Sequence, residues 1–145
     1  MKTTTVTWSG SKMRFEITAG SGHSVTADEG AEVSDDAGMR PTEMLLGALG
    51  ACAGINAASL LKKFRQPLDT LSIEVEGDQA EDWPRQFTAI RINFVIGWSG
   101  EYDPAAVTKA LDYACNRYCP VDATLTNGTR IEHRQTNRES PQPGT

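Results

Sequence analysis

The residues of this sequence best suited to chemistry are its three cysteines, Cys52, Cys115 and Cys119. A cysteine thiolate is a nucleophile that can be oxidised and reduced reversibly. The two histidines, His23 and His133, lack the paired spacing of metal ligands, so we expect structural or surface roles for them. The sequence contains no G-x-S-x-G, P-loop or G-x-G-x-x-G motif, so no motif of this kind supports a hydrolase or a nucleotide-binding function.

The three cysteines have different sequence surroundings. Cys52 lies among small residues, where a cysteine is either a small buried hydrophobe or a reactive thiol. Cys119 precedes Pro120, which either interrupts the helical conformation or begins a new helical turn. A thiol at the first turn of a helix is stabilised as thiolate by free backbone N–H groups. Cys115 shares its helical phase with Leu111, so we expect it to pack in the core.

A long helix is predicted to carry Cys52. Residues 44–61 contain no charged side chain, and this segment is long enough to span a membrane. Three glycines and five alanines make this segment only weakly apolar, so we expect a buried central helix and no membrane partner. Pro41 suits the first turn and Glu43 the positive end, which predicts a helix over 41–64.

Glycines recur on one side of this helix, at positions 47, 50 and 54. Each costs about 0.8–1 kcal/mol of helix stability relative to Ala, so a compensating close contact is expected. The approaching partner could be a second helix, a sheet, or the same helix of a twin subunit.

The remaining pattern predicts an α+β fold. Alternating apolar residues predict strands near 3–9, 13–17, 23–28, 71–75 and 90–98, with a second helix over 103–116 and a last strand at 130–133. The order is therefore βββ-α-ββ-α-β, with antiparallel sheets packed on helices. We expect one domain over 1–136 and a disordered tail over 137–145.

Composition narrows the function classes. The 145 residues include 14 Lys plus Arg against 19 Asp plus Glu, a formal charge of −5, so no nucleic-acid partner is expected. The start, MKTTTVTWSG, has no apolar run typical of a signal peptide, and three cysteines are an odd number for a disulfide framework. Both observations predict a cytoplasmic location.

Three blocks of the sequence resemble the OsmC/Ohr family of osmotically inducible and organic hydroperoxide resistance proteins. They are PTEMLLGALGACAGINAASLLKK, PRQFTAIRINFVI and ALDYACNRYCPV, and they match the family in order and spacing, with 67 positions between the first and last cysteine. The resemblance extends from about Val6 to His133. The P-T-E-x-L-L segment before the helix cysteine is similar to the OsmC-like branch.

The resemblance implies a function and a site. It identifies Cys52 with the family's peroxidatic cysteine, which attacks an organic hydroperoxide, and Cys119 with the cysteine that resolves the sulfenic acid as a disulfide. It implies a cofactor-free organic hydroperoxide reductase in oxidative-stress defence, recycled by an external dithiol reductant. It also implies an intertwined homodimer whose long central helices pack together.

Two features depart from the hydroperoxide-resistance branch. That branch has a Glu ten positions before the helix cysteine, where this chain has Thr42; Glu43 stands nine before and is our candidate for that catalytic role. The branch also has an N-terminal Arg that holds the thiolate. Arg14 is a possible equivalent, and Arg40 and Arg85 are its rivals.

Two other functions remain open at this level. The same dimer could bind a small hydrophobic ligand at the helix interface without turnover, or it could be a stress protein whose thiols are incidental. Counting the thiols that an organic hydroperoxide consumes distinguishes a peroxidase from both.

Overall fold

Two separate antiparallel sheets form in the computed structural model, which describes residues 1–127. The strands of the first sheet are β1 (Thr4–Trp8), β2 (Phe15–Ala19) and β3 (Ser24–Ala27), in the order β1-β2-β3. The second sheet consists of β4 (Leu68–Gln79) and β5 (Phe87–Trp98). The five strands confirm the predicted ones, and the fold is α+β.

The strand registers follow from the alternation of apolar side chains. Val6 of β1 lies opposite Ile17 of β2, and Ile73 of β4 lies opposite Phe94 of β5. Since successive side chains of a strand point to opposite faces, this register collects the apolar residues on one face of each sheet. Gly22 closes the β2–β3 turn at φ +86°, a conformation that glycine adopts readily.

Three helices form within residues 1–127, and all three start in the same way. They are α1 (Pro41–Lys63), α2 (Pro104–Asn116) and α3 (Pro120–Thr126). Each begins with proline, whose missing N–H costs nothing in a first turn. Helices α1 and α2 confirm the two predicted helices, and α1 ends one residue earlier than predicted.

Helix α3 is absent from the predicted order βββ-α-ββ-α-β. From the sequence, Pro120 could either interrupt the helical conformation or begin a new helical turn. The structure shows that it begins a helix. Seven residues are too few for a helical periodicity to be recognised. The predicted strand at 130–133 and the predicted boundary at 136 lie outside the described residues.

Helix α1 packs against both β4 and α2. A Cβ atom on Gly50 would lie 2.8 Å from Cγ2 of Val75, and one on Gly54 would lie 3.0 Å from Cγ1 of Ile73. A sheet is therefore the close partner of these two glycines. Further along the same side, α1 contributes to a fully buried cluster with α2, which includes Ala57, Leu61, Ala110 and Ala114, and Leu71 of β4 packs against it.

Length and composition alone would allow α1 to cross a membrane, and within residues 1–127 it is the one helix that meets that test. Core helices of soluble proteins meet it as well. The Asn56 amide donates a hydrogen bond of 3.3 Å to the Ala114 carbonyl, so the polar side chain in mid-helix is used within the fold.

Candidate functional site

The packing of α1 against α2 positions the thiols. Lys109 Nζ lies 5.8 Å from the centre of the Phe64 ring, and Asn56 Nδ2 lies 3.3 Å from the Ala114 carbonyl oxygen. Positions closer to the N-terminus of α1 therefore lie beside positions closer to the C-terminus of α2, so the two helices run antiparallel. One further turn back from Asn56 lies Cys52, level with the segment that follows α2.

That segment carries Cys119, which interacts with the Cys52 side chain. Cys119 is 3% exposed and forms the N-cap of α3, where its sulfur accepts a hydrogen bond of 3.3 Å from the Asp122 N–H. Burial raises the pKa of the Cys119 thiol, and the interaction with Cys52 raises it further; the backbone N–H of Asp122 acts in the opposite sense. The structure thus brings the two predicted site cysteines together.

Cys115 lies at the same place in the fold. It is half-buried, near the C-terminus of α2, instead of in the core where the sequence predicted it. Burial raises the pKa of its thiol, and the negative charges of Asp122, Cys119, Asp112 and Cys52 raise it further. Cys52, Cys115 and Cys119 therefore form one thiol cluster between α1, α2 and α3.

Glu43 lies on a different side of α1. Nine residues at about 100° each place its side chain roughly 180° from that of Cys52. It is exposed, 3.9 Å from Arg40 Nε, and it lines a groove along the glycine face together with Gly47 and Gly54. The structure does not bring Glu43 to Cys52 within one subunit, and its catalytic role stays a prediction.

The three candidate arginines pair with other groups. Arg14 lies 3.7 Å from Asp35, and Arg40 Nη1 lies 2.6 Å from Asp36 Oδ1. Arg85 stacks over the Trp83 ring, with 4.8 Å between the guanidinium carbon and the ring centre. None of these contacts involves Cys52.

Two of the grooves along α1 have a volume of about 700 Å³ each. One follows the glycine face and is lined by Glu43, Gly47 and residues of β4. The other contains Thr42 and Leu45 of α1, the exposed Trp83 and Leu125 of α3. Leu45 lies two turns before Cys52 on the same face of α1. This groove was not predicted from the sequence. The signal that could have indicated it is Trp83, the bulky residue of an otherwise polar loop.

A metal site is not found in the part of the chain that the structure describes. Within residues 1–127, no group of three or more His, Cys, Asp or Glu side chains is arranged to hold a metal ion. The chemistry available to the thiol cluster on these residues is nucleophilic attack and reversible oxidation of sulfur.

Comparisons with known proteins agree with the sequence blocks. The family model for OsmC-like proteins matches residues 34–134. Protein YhfA of Escherichia coli K12 is 34% identical over 113 residues, which are 78% of this chain and 81% of YhfA.

Solved structures share the fold. A protein of Aquifex aeolicus VF5 is 27% identical, with a TM-score of 0.74 and 89% of each chain covered. The organic hydroperoxide resistance protein OhrB of Bacillus subtilis is 18% identical, with a TM-score of 0.55, covering 88% of this chain and 92% of its own. On the match of the family model and the identity with YhfA, this chain belongs to the OsmC-like protein family.

Proposed function

We propose that this protein is a cysteine-dependent thiol peroxidase that reduces organic hydroperoxides. The observation that carries the proposal is the interaction of the Cys52 and Cys119 side chains, which lie 67 positions apart in the sequence. A partly accessible thiol beside a second thiol is what a two-cysteine peroxidase requires. Cys52 is half-buried and Cys119 is buried, which suits them to attack and to resolution respectively.

The reaction proceeds in two steps. The Cys52 thiolate attacks the terminal oxygen of the hydroperoxide; the O–O bond breaks, the leaving alkoxide takes a proton, and Cys52 becomes a sulfenic acid. The Cys119 sulfur then attacks the Cys52 sulfur and displaces hydroxide, which leaves as water with the Cys119 proton. The product is a Cys52–Cys119 disulfide, which an external dithiol reduces back to two thiols.

Relatives support this proposal at the level of the family. OhrB of Bacillus subtilis is described as an organic hydroperoxide resistance protein, and its fold is similar to that of this chain. We assign the organic part of the substrate to the groove lined by Leu45, Trp83 and Leu125, because this groove lies along the Cys52 face of α1.

We propose further that the working unit is a homodimer in the cytoplasm. Ile55 on the glycine face of α1 is 71% exposed, and Val6, Trp8 and Met13 of the N-terminal region are each 56% exposed. Apolar surface of this extent is costly in water and is usually covered by a partner. The three free thiols suit a reducing compartment.

The test is a thiol count on the reduced protein. One equivalent of cumene hydroperoxide should consume two thiols per subunit in the wild type, because one becomes the sulfenic acid and the second closes the disulfide. The matched control is Cys52→Ser, which should lose none. Wild-type thiols that remain unmodified at a tenfold excess of hydroperoxide would overturn the peroxidase.

The groove on the glycine face favours a second function, a non-catalytic protein that binds a small hydrophobic ligand. This groove holds about 700 Å³ and lies where two α1 helices would meet in a dimer. A ligand-binding protein would bind a hydrophobic fluorescent probe there and lose no thiol to hydroperoxide.

A further inference from the structure

We propose that Cys115 is a third redox-active thiol, which accepts the disulfide from Cys52 and so frees Cys52 for a second round. The proposal rests on the proposed peroxidase function. In this step the Cys115 thiolate attacks the Cys119 sulfur. The Cys115–Cys119 bond forms, the Cys52–Cys119 bond breaks, and its electron pair leaves on Cys52 as thiolate. Cys115 gives its proton to solvent, and no oxidant beyond the hydroperoxide is needed.

The position of Cys115 supports this exchange. Cys115 follows Ala114, whose carbonyl accepts the hydrogen bond from Asn56, and Asn56 lies one turn from Cys52. Cys119 lies four residues further along the chain, at the N-cap of α3. Cys115 therefore lies near both partners of the disulfide, and both influence it electrostatically.

Accessibility and leaving-group ability determine the direction of the exchange. Cys119 is 3% exposed, so an external dithiol has poor access to its sulfur, whereas Cys115 is half-buried and already in the cluster. Burial raises the pKa of Cys119, which makes Cys119 a poor leaving group. Attack at the Cys119 sulfur with release of Cys52 avoids that leaving group.

The groups around Cys115 determine the pH dependence of the exchange. In the reduced protein its pKa is raised first by burial and then by the charges of Asp122 on α3, Cys119, Asp112 on α2 and Cys52 on α1. Because the thiolate is the attacking form, burial and the two aspartates slow the exchange at neutral pH, and the exchange becomes faster at higher pH.

The experiment locates the disulfide by peptide mapping of the wild-type protein. Trypsin cleaves after Lys109 and Arg117, so Cys115 and Cys119 fall on different peptides and Cys52 on a third. One sample receives one equivalent of cumene hydroperoxide, and a second receives diamide, which oxidises paired thiols without peroxide chemistry. Portions of both samples are held at about pH 6.5 and at about pH 8.5. They are then quenched with acid, alkylated and mapped.

We expect the Cys115–Cys119 disulfide to replace Cys52–Cys119 with time, faster at the higher pH, while Cys52 becomes alkylatable again. A Cys52–Cys119 disulfide that persists in both samples, with Cys115 fully alkylated, would overturn the exchange and leave the peroxidase intact. Loss of thiols to diamide but not to hydroperoxide would overturn the peroxidase, and the diamide sample would still decide where the disulfide rests.

A second measurement uses Cys115→Ser as the matched control. After exchange the freed Cys52 attacks again, so the wild type should consume about two equivalents of hydroperoxide per subunit before stalling, against about one in the variant. Equal consumption by the two proteins contradicts the exchange.

Discussion

Cys52 is half-buried on α1, whereas Cys119 is buried and caps α3, so substitution of the two thiols should have different consequences. We expect Cys52→Ser to abolish hydroperoxide consumption, because a hydroxyl cannot replace the thiolate as nucleophile at neutral pH. Cys119→Ser should keep the first O–O cleavage within about threefold in rate, because the resolving thiol acts only after that step.

Mass spectrometry checks this asymmetry after one equivalent of hydroperoxide. Cys119→Ser should contain an oxidised Cys52 and lack the disulfide that the wild type forms through Cys119. A Cys119→Ser protein that cannot cleave hydroperoxide at all would mean that Cys119 is the attacking thiol.

A second residue with a predictable effect is Asp28, which precedes α1 and is 2% exposed. Its carboxylate accepts hydrogen bonds from the Glu29 and Ala37 N–H groups, at 2.8 and 3.0 Å. The hydrogen bond with Ser34 lowers the Asp28 pKa most, and those backbone bonds lower it further against the effect of burial. A depressed folded-state pKa contributes stability above the ordinary pKa of 3.8, and this contribution is lost as pH falls below it.

Asp28→Asn should therefore lower the urea midpoint of unfolding at neutral pH by more than it does in acid. The measurement is a pair of urea titrations at a series of pH values for the two proteins. A difference between their midpoints that is the same at neutral pH and below the ordinary pKa of Asp28 contradicts the assignment.

Among the elements, α1 is fitted to β4 by the absence of a side chain at Gly50. Gly50→Ala gains about 0.8–1 kcal/mol of helix propensity but places a Cβ 2.8 Å from Val75 Cγ2, and overpacking typically costs about 1–3 kcal/mol. We expect a net decrease in the free energy of unfolding, because the β-branched Val75 side chain has little freedom to move away.

The Gly50→Ala/Val75→Ala double variant is the matched control, since it removes the methyl group that the new Cβ meets. Urea unfolding of the wild type, the two single variants and the double variant should give a coupling of about 1 kcal/mol or more. Additive effects would show that Gly50 is not fitted against Val75.

On the scale of the whole molecule, the two sheets do not pair with each other within residues 1–127, and the glycine face of α1 is open at Gly47 and Ile55. A second copy of the chain would cover these surfaces. We expect light scattering to give a dimer mass at micromolar concentration for the wild type and a monomer mass for Ile55→Asp, since a charge at a desolvated helix interface is costly.

Val33→Asp is the matched control, because it makes a similar change at an exposed side chain in the loop before α1, outside the groove of the glycine face. It should keep the dimer mass. A single-subunit mass for the wild type contradicts the homodimer.

Much of the fold could be predicted from the sequence because its signals are local. The alternation at Ile73 and Val75 predicts a strand, and Pro41 predicts the first turn of α1, since each depends on near neighbours in the chain. The resemblance in the sequence blocks placed the chain in its family, which the family model and the identity with YhfA confirm. Helix α3 escaped prediction because seven residues show no periodicity.

The site depended on tertiary structure. Only the packing of α1 against α2 and α3 brings Cys52 to Cys119 and near Cys115, and only the helix phase in the folded chain turns Glu43 toward the glycine groove. The contact of Arg14 with Asp35 likewise depends on where the loop before α1 folds. Such contacts join residues far apart in the sequence, so they arise from the packing of whole elements and leave no local pattern in the chain.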